Sequence, residues 1–227
     1  MKGVFVNKQL EYRLEVPQDS FVPGDALACV FSIKNHSTQP VQLADLCLQL
    51  AEATLKAARL KESDAFSPLQ SFVFPGPISL NPQESRSFEW RIVLDLNCAI
   101  SDKQRSLFLR YGANSAQIAD LPLTVTLHPI CEKLLHILET SFQFARKGER
   151  AGKGQLEAKL KPPASARFTL VEELQLGLKF EDQSLKVNYQ FRVKKFDTSE
   201  NSLNVKKVKS GLLQELSLER YWPGGIV

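Results

Sequence analysis

Along most of the chain apolar residues recur at every second position. Leu27, Cys29, Phe31 and Ile33 set one row, with Ser32 and Lys34 opposite. Phe88, Trp90, Ile92, Leu94 and Leu96 alternate with Glu89, Arg91, Asp95 and Asn97, interrupted only by Val93. Leu174, Leu176, Leu178 and Phe180 form a third row, and Leu185, Val187, Tyr189, Phe191 and Val193 a fourth. Successive strand side chains point to opposite faces, so each run predicts a strand with one buried and one wet face. Antiparallel sheets read this way, whereas parallel strands covered on both faces read as continuous apolar runs.

Turn chemistry divides the rows. Val22, Pro23, Gly24 and Asp25 predict a tight turn, with proline fixing the first bend and glycine accepting positive φ. Residues 35–40 form a polar loop, and Pro75, Gly76, Pro77 and Asn81, Pro82 punctuate the middle. Residues 181–184 and 197–202 read as hairpin turns. Many short strands with turns every ten or so residues predict β-sandwiches. One segment changes period. Ile130, Leu134, Leu135, Ile137, Leu138 and Phe142 follow helical spacing, with Pro129 at a first-turn position and Arg146 and Lys147 suited to a C-terminal end. The spacing predicts one short helix near 129–146, opening a second domain, with 1–128 as the first domain and 129–227 as the second. Almost no other helix is expected. The glycine-rich, charged stretch 147–154 is expected to be a loop.

Residues 14–35, LEVPQDSFVPGDALACVFSIKN, resemble the opening of arrestin-like domains, and residues 78–94, ISLNPQESRSFEWRIVL, resemble a later arrestin-like segment. Residues 108–144, FLRYGANSAQIADLPLTVTLHPICEKLLHILETSFQF, resemble the bacterial sporulation-control branch of that superfamily, in which the last strand of the first domain runs through a proline junction into a short helix. The resemblance implies an all-β fold of two consecutive antiparallel, immunoglobulin-like β-sandwich domains, and a scaffold role through protein–protein interaction. The family's aspartate cluster before the helix is reduced here to Asp120, so no ion or partner role of those acids carries over.

Composition adds class but no chemistry. The 227 residues are 43% hydrophobic and 24% charged, an ordinary globular balance that excludes disorder and collagen. No apolar run approaches the ~20 residues of a membrane span. The N-terminus leads into a strand without a hydrophobic leader, so the chain is expected to be cytoplasmic with reduced cysteines. Cys29, Cys47, Cys98 and Cys131 lack metal spacing. Cys29 shares a row with Leu27 and Phe31 and is expected to be buried and inert. His36, His128 and His136 form no nucleophile–base pair, since Cys131 lies five residues before His136 and helical neighbours are three or four apart. The run Arg146 to Gly154 fails the phosphate-loop pattern. Adjacent Glu172 and Glu173 are expected on opposite faces of a strand. Tyr221 and Trp222, in a terminal tail, are expected to pack onto the second sandwich, the alternative being an anchor for a partner. No catalytic, cofactor-binding or metal residues are assigned, and no cofactor is expected.

Charge supplies one surface feature. The net charge is +4. It is uneven, with 12 basic against 13 acidic residues in 1–128 and 17 against 12 in 129–227. This is too mild for a nucleic-acid binder. Arg192, Lys194 and Lys195 precede the turn at 197–202, and Lys206, Lys207 and Lys209 follow it. Alternation fails there, so 203–209 is expected to be a sheet edge guarded by lysines, and the six residues are candidates for docking a partner. The expected function is a non-enzymatic cytoplasmic adaptor whose protein partner the sequence does not name. The alternatives are a peripheral module binding anionic membrane through the basic hairpin, and a ligand-binding or hydrolytic sandwich.

Overall fold

The structure is a computed structural model that describes residues 1–60, 62, 64–113, 117–151, 154–165, 168–182, 184–197 and 204–217; for 117, 151, 194–197 and 204–217 it describes the backbone. The chain divides into two units. One contains Met1–Asp95 and Ala99–Thr126, the other Leu96–Cys98 and Leu127–Val227. This is the expected fold class: all-β, antiparallel, two consecutive domains, with a helix opening the second.

In the first unit, β1 (Lys2–Asn7), β2 (Leu10–Glu15), β3 (Ala26–Asn35) and β8 (Ser85–Val93) form one sheet in that order. The facing sheet is ordered β10 (Gln117–Leu123), β9 (Arg105–Ala113), β5 (Leu46–Thr54) and β6 (Phe66–Ser71). A small ladder joins β4 (Val41–Leu43) to β7 (Ile78–Leu80). The alternation read in residues 27–33 is the buried row of β3, and Leu27, Cys29, Phe31 and Ile33 are all buried. Leu48, Leu50, Leu107 and Leu109 of the other sheet are likewise buried, and Phe31 stands edge-on to Tyr111 with ring centroids 6.1 Å apart. Burying a residue of this size contributes about 1.5–3 kcal/mol. Gly3 carries no side chain where the Tyr111 hydroxyl comes closest to β1. Asp25 closes the turn after Pro23, its Oδ2 accepting from Val22 N at 2.8 Å while Gly24 takes φ 91°. Buried Asn35 is fully engaged: it donates to the Gln39, Leu80 and Asn81 carbonyls and accepts from Ser37 N.

The second unit is a five-stranded meander of β11 (Ala145–Ala151), β12 (Leu156–Lys161), β13 (Val171–Glu181), β14 (Ser184–Asp197) and β15 (Asn204–Ser217). Leu174, Leu176, Leu178, Leu185 and Val187 line one face and bury Cys131 and Leu135 of α2 (Pro129–Thr140). Among the described residues, α2 is the layer that covers this face. His128 caps it, its Nδ1 accepting from Ile130 N at 3.2 Å.

Three expectations change. The helix ends at Thr140 rather than near 146. Arg146 belongs to β11 and reaches back to Glu132 with two hydrogen bonds of 3.0 Å and to Glu139 at 3.0 Å, so it clamps the sheet to the helix instead of extending it. Of the expected loop at 147–154, residues 147–151 are strand, where charges find cross-strand partners such as Glu157 for Arg150, and residues 152 and 153 lie outside the described residues. A second short helix, α1 (Leu55–Leu60), follows β5 and buries none of its residues.

Candidate partner-binding site

The site is built where β14 outruns β13. Val171 pairs with Val193, so among the described residues β15 alone lies beside residues 194–197 of β14. The sheet ends at β15, an edge among the described residues. In register, Arg192 faces Lys209, Lys194 faces Lys207 and Lys195 faces Lys206. Three of the four cross-strand pairs from Arg192↔Lys209 to Lys195↔Lys206 are therefore basic on both strands, with Val193↔Val208 between them. The turn at 198–203, the side chains of Lys194, Lys195, Lys206, Lys207 and Lys209, and the aromatic pair Tyr221 and Trp222 lie outside what the structure describes.

Arg192 is described in full, and it leads into a cleft of about 660 Å3 lined by Lys147, Lys161, Phe168, Glu172 and Glu173 among others. Its Nε lies 3.5 Å from Glu172 Oε2. Lys147 Nζ lies 3.4 Å from Glu173 Oε2, and Gln175 donates to Glu173 Oε1 at 2.7 Å. Burial opposes ionisation of Glu173, but hydrogen bonds from Gln175 and Lys147 and the charges of Lys159 and Lys147 outweigh it and lower its pKa. Phe168 packs edge-on against buried Phe144, with centroids 5.3 Å apart, beside Pro162 and Pro163. The cleft thus joins an apolar wall to paired charges.

Glu172 and Glu173 do not part to opposite faces as expected. The register slips between Val171 and Glu173, and a bulge sets two residues of one strand against one of its partner, so both carboxylates line the cleft. The period-two reading carried no sign of that bulge. Lys147 and Lys161 were missed for a related reason: they come from the strand that was read as a loop and from the strand end beside it.

Cys29 and Cys131 are buried, and burial pushes each thiol up to about 12, which leaves them protonated and poor nucleophiles. All four cysteines are free thiols. His36 Nε2 sits 2.9 Å from Glu11, and His128 packs on Phe180. Among the described residues, no group of three or more His, Cys, Asp or Glu side chains is arranged to hold a metal. Nor, among those residues, is any helix long and apolar enough to cross a membrane.

Spo0M, a sporulation control protein from Bacillus subtilis, superposes with a TM-score of 0.65 at 15% identity, covering 92% of this chain and 91% of that one. The chain has the arrestin-like fold. The resemblance read from residues 14–35, 78–94 and 108–144 therefore holds at the level of fold. Beta-glucosidases from Erythrobacter marinus and Listeria innocua align over 56% and 53% of this chain and 15% and 17% of theirs, at 15% and 14% identity and TM-scores of 0.34 and 0.32, too weak to carry an argument. No protein-family model matches the sequence, and no curated protein does.

Proposed function

We propose that the protein is a non-enzymatic cytoplasmic adaptor that docks an acidic segment of a protein partner at the basic end of the last hairpin and in the cleft beside it. The observation that carries this reading is the register of β14 and β15, with three basic pairs running out from a cleft that already holds Arg192 and Lys147. Like charges directly opposite each other in a ladder repel, and carboxylates brought by a partner relieve that repulsion. The cleft favours a protein over a bilayer. Its wall, Phe168 with Pro162 and Pro163, is concave, and its carboxylates would face an anionic surface. Its described lining contains neither histidine nor cysteine, and its carboxylates already have cationic partners, which speaks for binding rather than hydrolysis. A scaffold role also suits a chain that shares its fold with a sporulation control protein.

The test is affinity purification from the native cell, comparing wild type with the triple variant Lys206→Thr, Lys207→Thr, Lys209→Thr. A partner retained by wild type, lost with added salt and depleted by the triple variant supports docking. An unchanged partner set, with aggregation of the variant, would mean that the lysines only guard the edge. Sedimentation of wild type with anionic liposomes would favour the membrane reading.

A further inference from the structure

We propose that β8 is a homodimerisation edge: two copies pair β8 against β8, antiparallel, about a two-fold axis at Trp90, joining two four-stranded sheets into a continuous one.

The strand has one neighbour. β3 pairs with it from Ala26↔Val93 to Lys34↔Ser85, and nothing pairs with its other side among the described residues. It is nine residues long, contains no proline and has no bulge in its register with β3. Natural edges are usually blunted by such devices. Its backbone also points the right way. Leu94 donates to Asp25 O at 2.9 Å and accepts from Gly24 N at 3.0 Å, while Glu84 O accepts from Asn35 N at 3.0 Å. Even-numbered residues thus turn their peptide groups toward β3. In an antiparallel ladder this alternates, so Ser85, Ser87, Glu89, Arg91 and Val93 present N–H and C=O to the open edge.

The side chains then select a register. A two-fold axis perpendicular to a continuous sheet keeps each face on its own side, so the axis must pass through a residue that faces itself. Centring on Glu89 would oppose two carboxylates, and centring on Arg91 two guanidinium groups. Centring on Phe88 sets Glu89 against Ser87 and Arg91 against Ser85, with no ion pair. Centring on Trp90 sets Glu89 against Arg91 of the second copy, twice. Both side chains are exposed, and neither has an ion pair among the described residues. The same register brings Val93, 61% exposed, against Ser87. On the inner face it sets Phe88 against Ile92 and Trp90 against Trp90. These aromatics are only half-buried in a cluster with Phe72 and Phe74, with Phe74 and Phe88 centroids 5.2 Å apart and Phe72 and Trp90 6.4 Å apart. The isologous pairing therefore satisfies the free backbone groups, the unpaired charges and the incompletely covered rings together.

The test is sedimentation velocity of the full chain over a wide concentration range, with Glu89→Arg, Arg91→Glu and the double exchange, each checked for folding by circular dichroism. Wild type is expected to dimerise reversibly. Each single reversal turns two attractive pairs into two repulsive ones and is expected to raise the dimer Kd about tenfold or more. The double exchange restores both pairs and is expected to return the Kd to within a few-fold of wild type. If a reversal impairs folding, Glu89→Gln and Arg91→Gln carry the same comparison with a smaller loss. A wild type that stays monomeric throughout, a dimer indifferent to the single changes, or a double exchange no better than the singles would overturn the proposal.

Discussion

The side chain of Asn97 takes the place of a missing strand beside Phe180: it donates to the Phe180 carbonyl at 2.8 Å and accepts from the Phe180 N–H at 2.7 Å. The β12–β13 ladder ends at Leu156↔Leu178, two residues short of Phe180. The segment Leu96–Cys98 accordingly belongs to the second unit. Removing the amide by Asn97→Ala leaves two peptide groups of a buried residue without these partners. This is expected to cost about 1–3 kcal/mol, read as a lower denaturant midpoint for the second unit. Asn97→Asp, which keeps an acceptor for the N–H but loses the donor, should also destabilise.

Tyr12 gives the opposite sign. It is completely buried between Phe5 and Phe31, with centroids at 5.9 and 6.4 Å, and its hydroxyl has no hydrogen-bond partner among the described residues. Burial raises its pKa. Tyr12→Phe keeps both ring contacts and removes an unsatisfied polar atom, so stability should be unchanged or higher by about 1 kcal/mol. A clear fall in melting temperature would show that the hydroxyl is engaged after all.

Acid should loosen the second unit. Glu132 is held below its usual range by the hydrogen bond from Arg146, opposed by burial and aided by the Arg146 charge. Glu181 is lowered from 4.5 to about 2, first by hydrogen bonds from Lys179 and Lys186. A carboxyl whose folded pKa lies below its unfolded value stabilises the fold above the unfolded value and stops doing so as pH falls through the folded one. Melting temperature should therefore hold down to about pH 4.5 and then fall progressively toward about pH 2. Glu181→Gln should flatten part of that slope, and an identical pH profile in the variant would contradict the assignment.

Arg146 shows where the sequence stopped being readable. The apolar rows of β3, β13 and β14 were legible because each strand has one wet face, and a period of two then records burial directly. Arg146 and Lys147 read as the cationic end of a helix because charge says nothing about which element carries it. In the fold, Arg146 gathers Glu132, Glu139 and Glu149, the last as an ion pair at 3.2 Å without hydrogen-bond geometry. Residues 147–151 after it belong to β11, an edge strand among the described residues, where charges are tolerated. Of the candidate site, Arg192 was visible as part of a basic cluster. The cleft was not, since it depends on a bulge at Glu172 and on two lysines brought in from β11 and β12.

The cleft carboxylates should compete with a partner. Glu172→Gln releases Arg192 from its ion pair at 3.5 Å. Exposed pairs are worth about 0–1 kcal/mol, so affinity for an acidic partner should rise by up to about fivefold. Weaker binding in the variant would mean that Glu172 itself contacts the partner.

Zero-length coupling of the captured complex tests the adaptor account most directly. A carbodiimide reagent joins a lysine amine to a carboxylate in contact with it, and peptide mass spectrometry then identifies both ends. The expected result is a set of cross-links from Lys194, Lys195, Lys206, Lys207 and Lys209, with Lys147 and Lys161 of the cleft, to aspartates and glutamates of the partner. Cross-links confined to the first unit, with these lysines unmodified by the partner, would contradict the central claim.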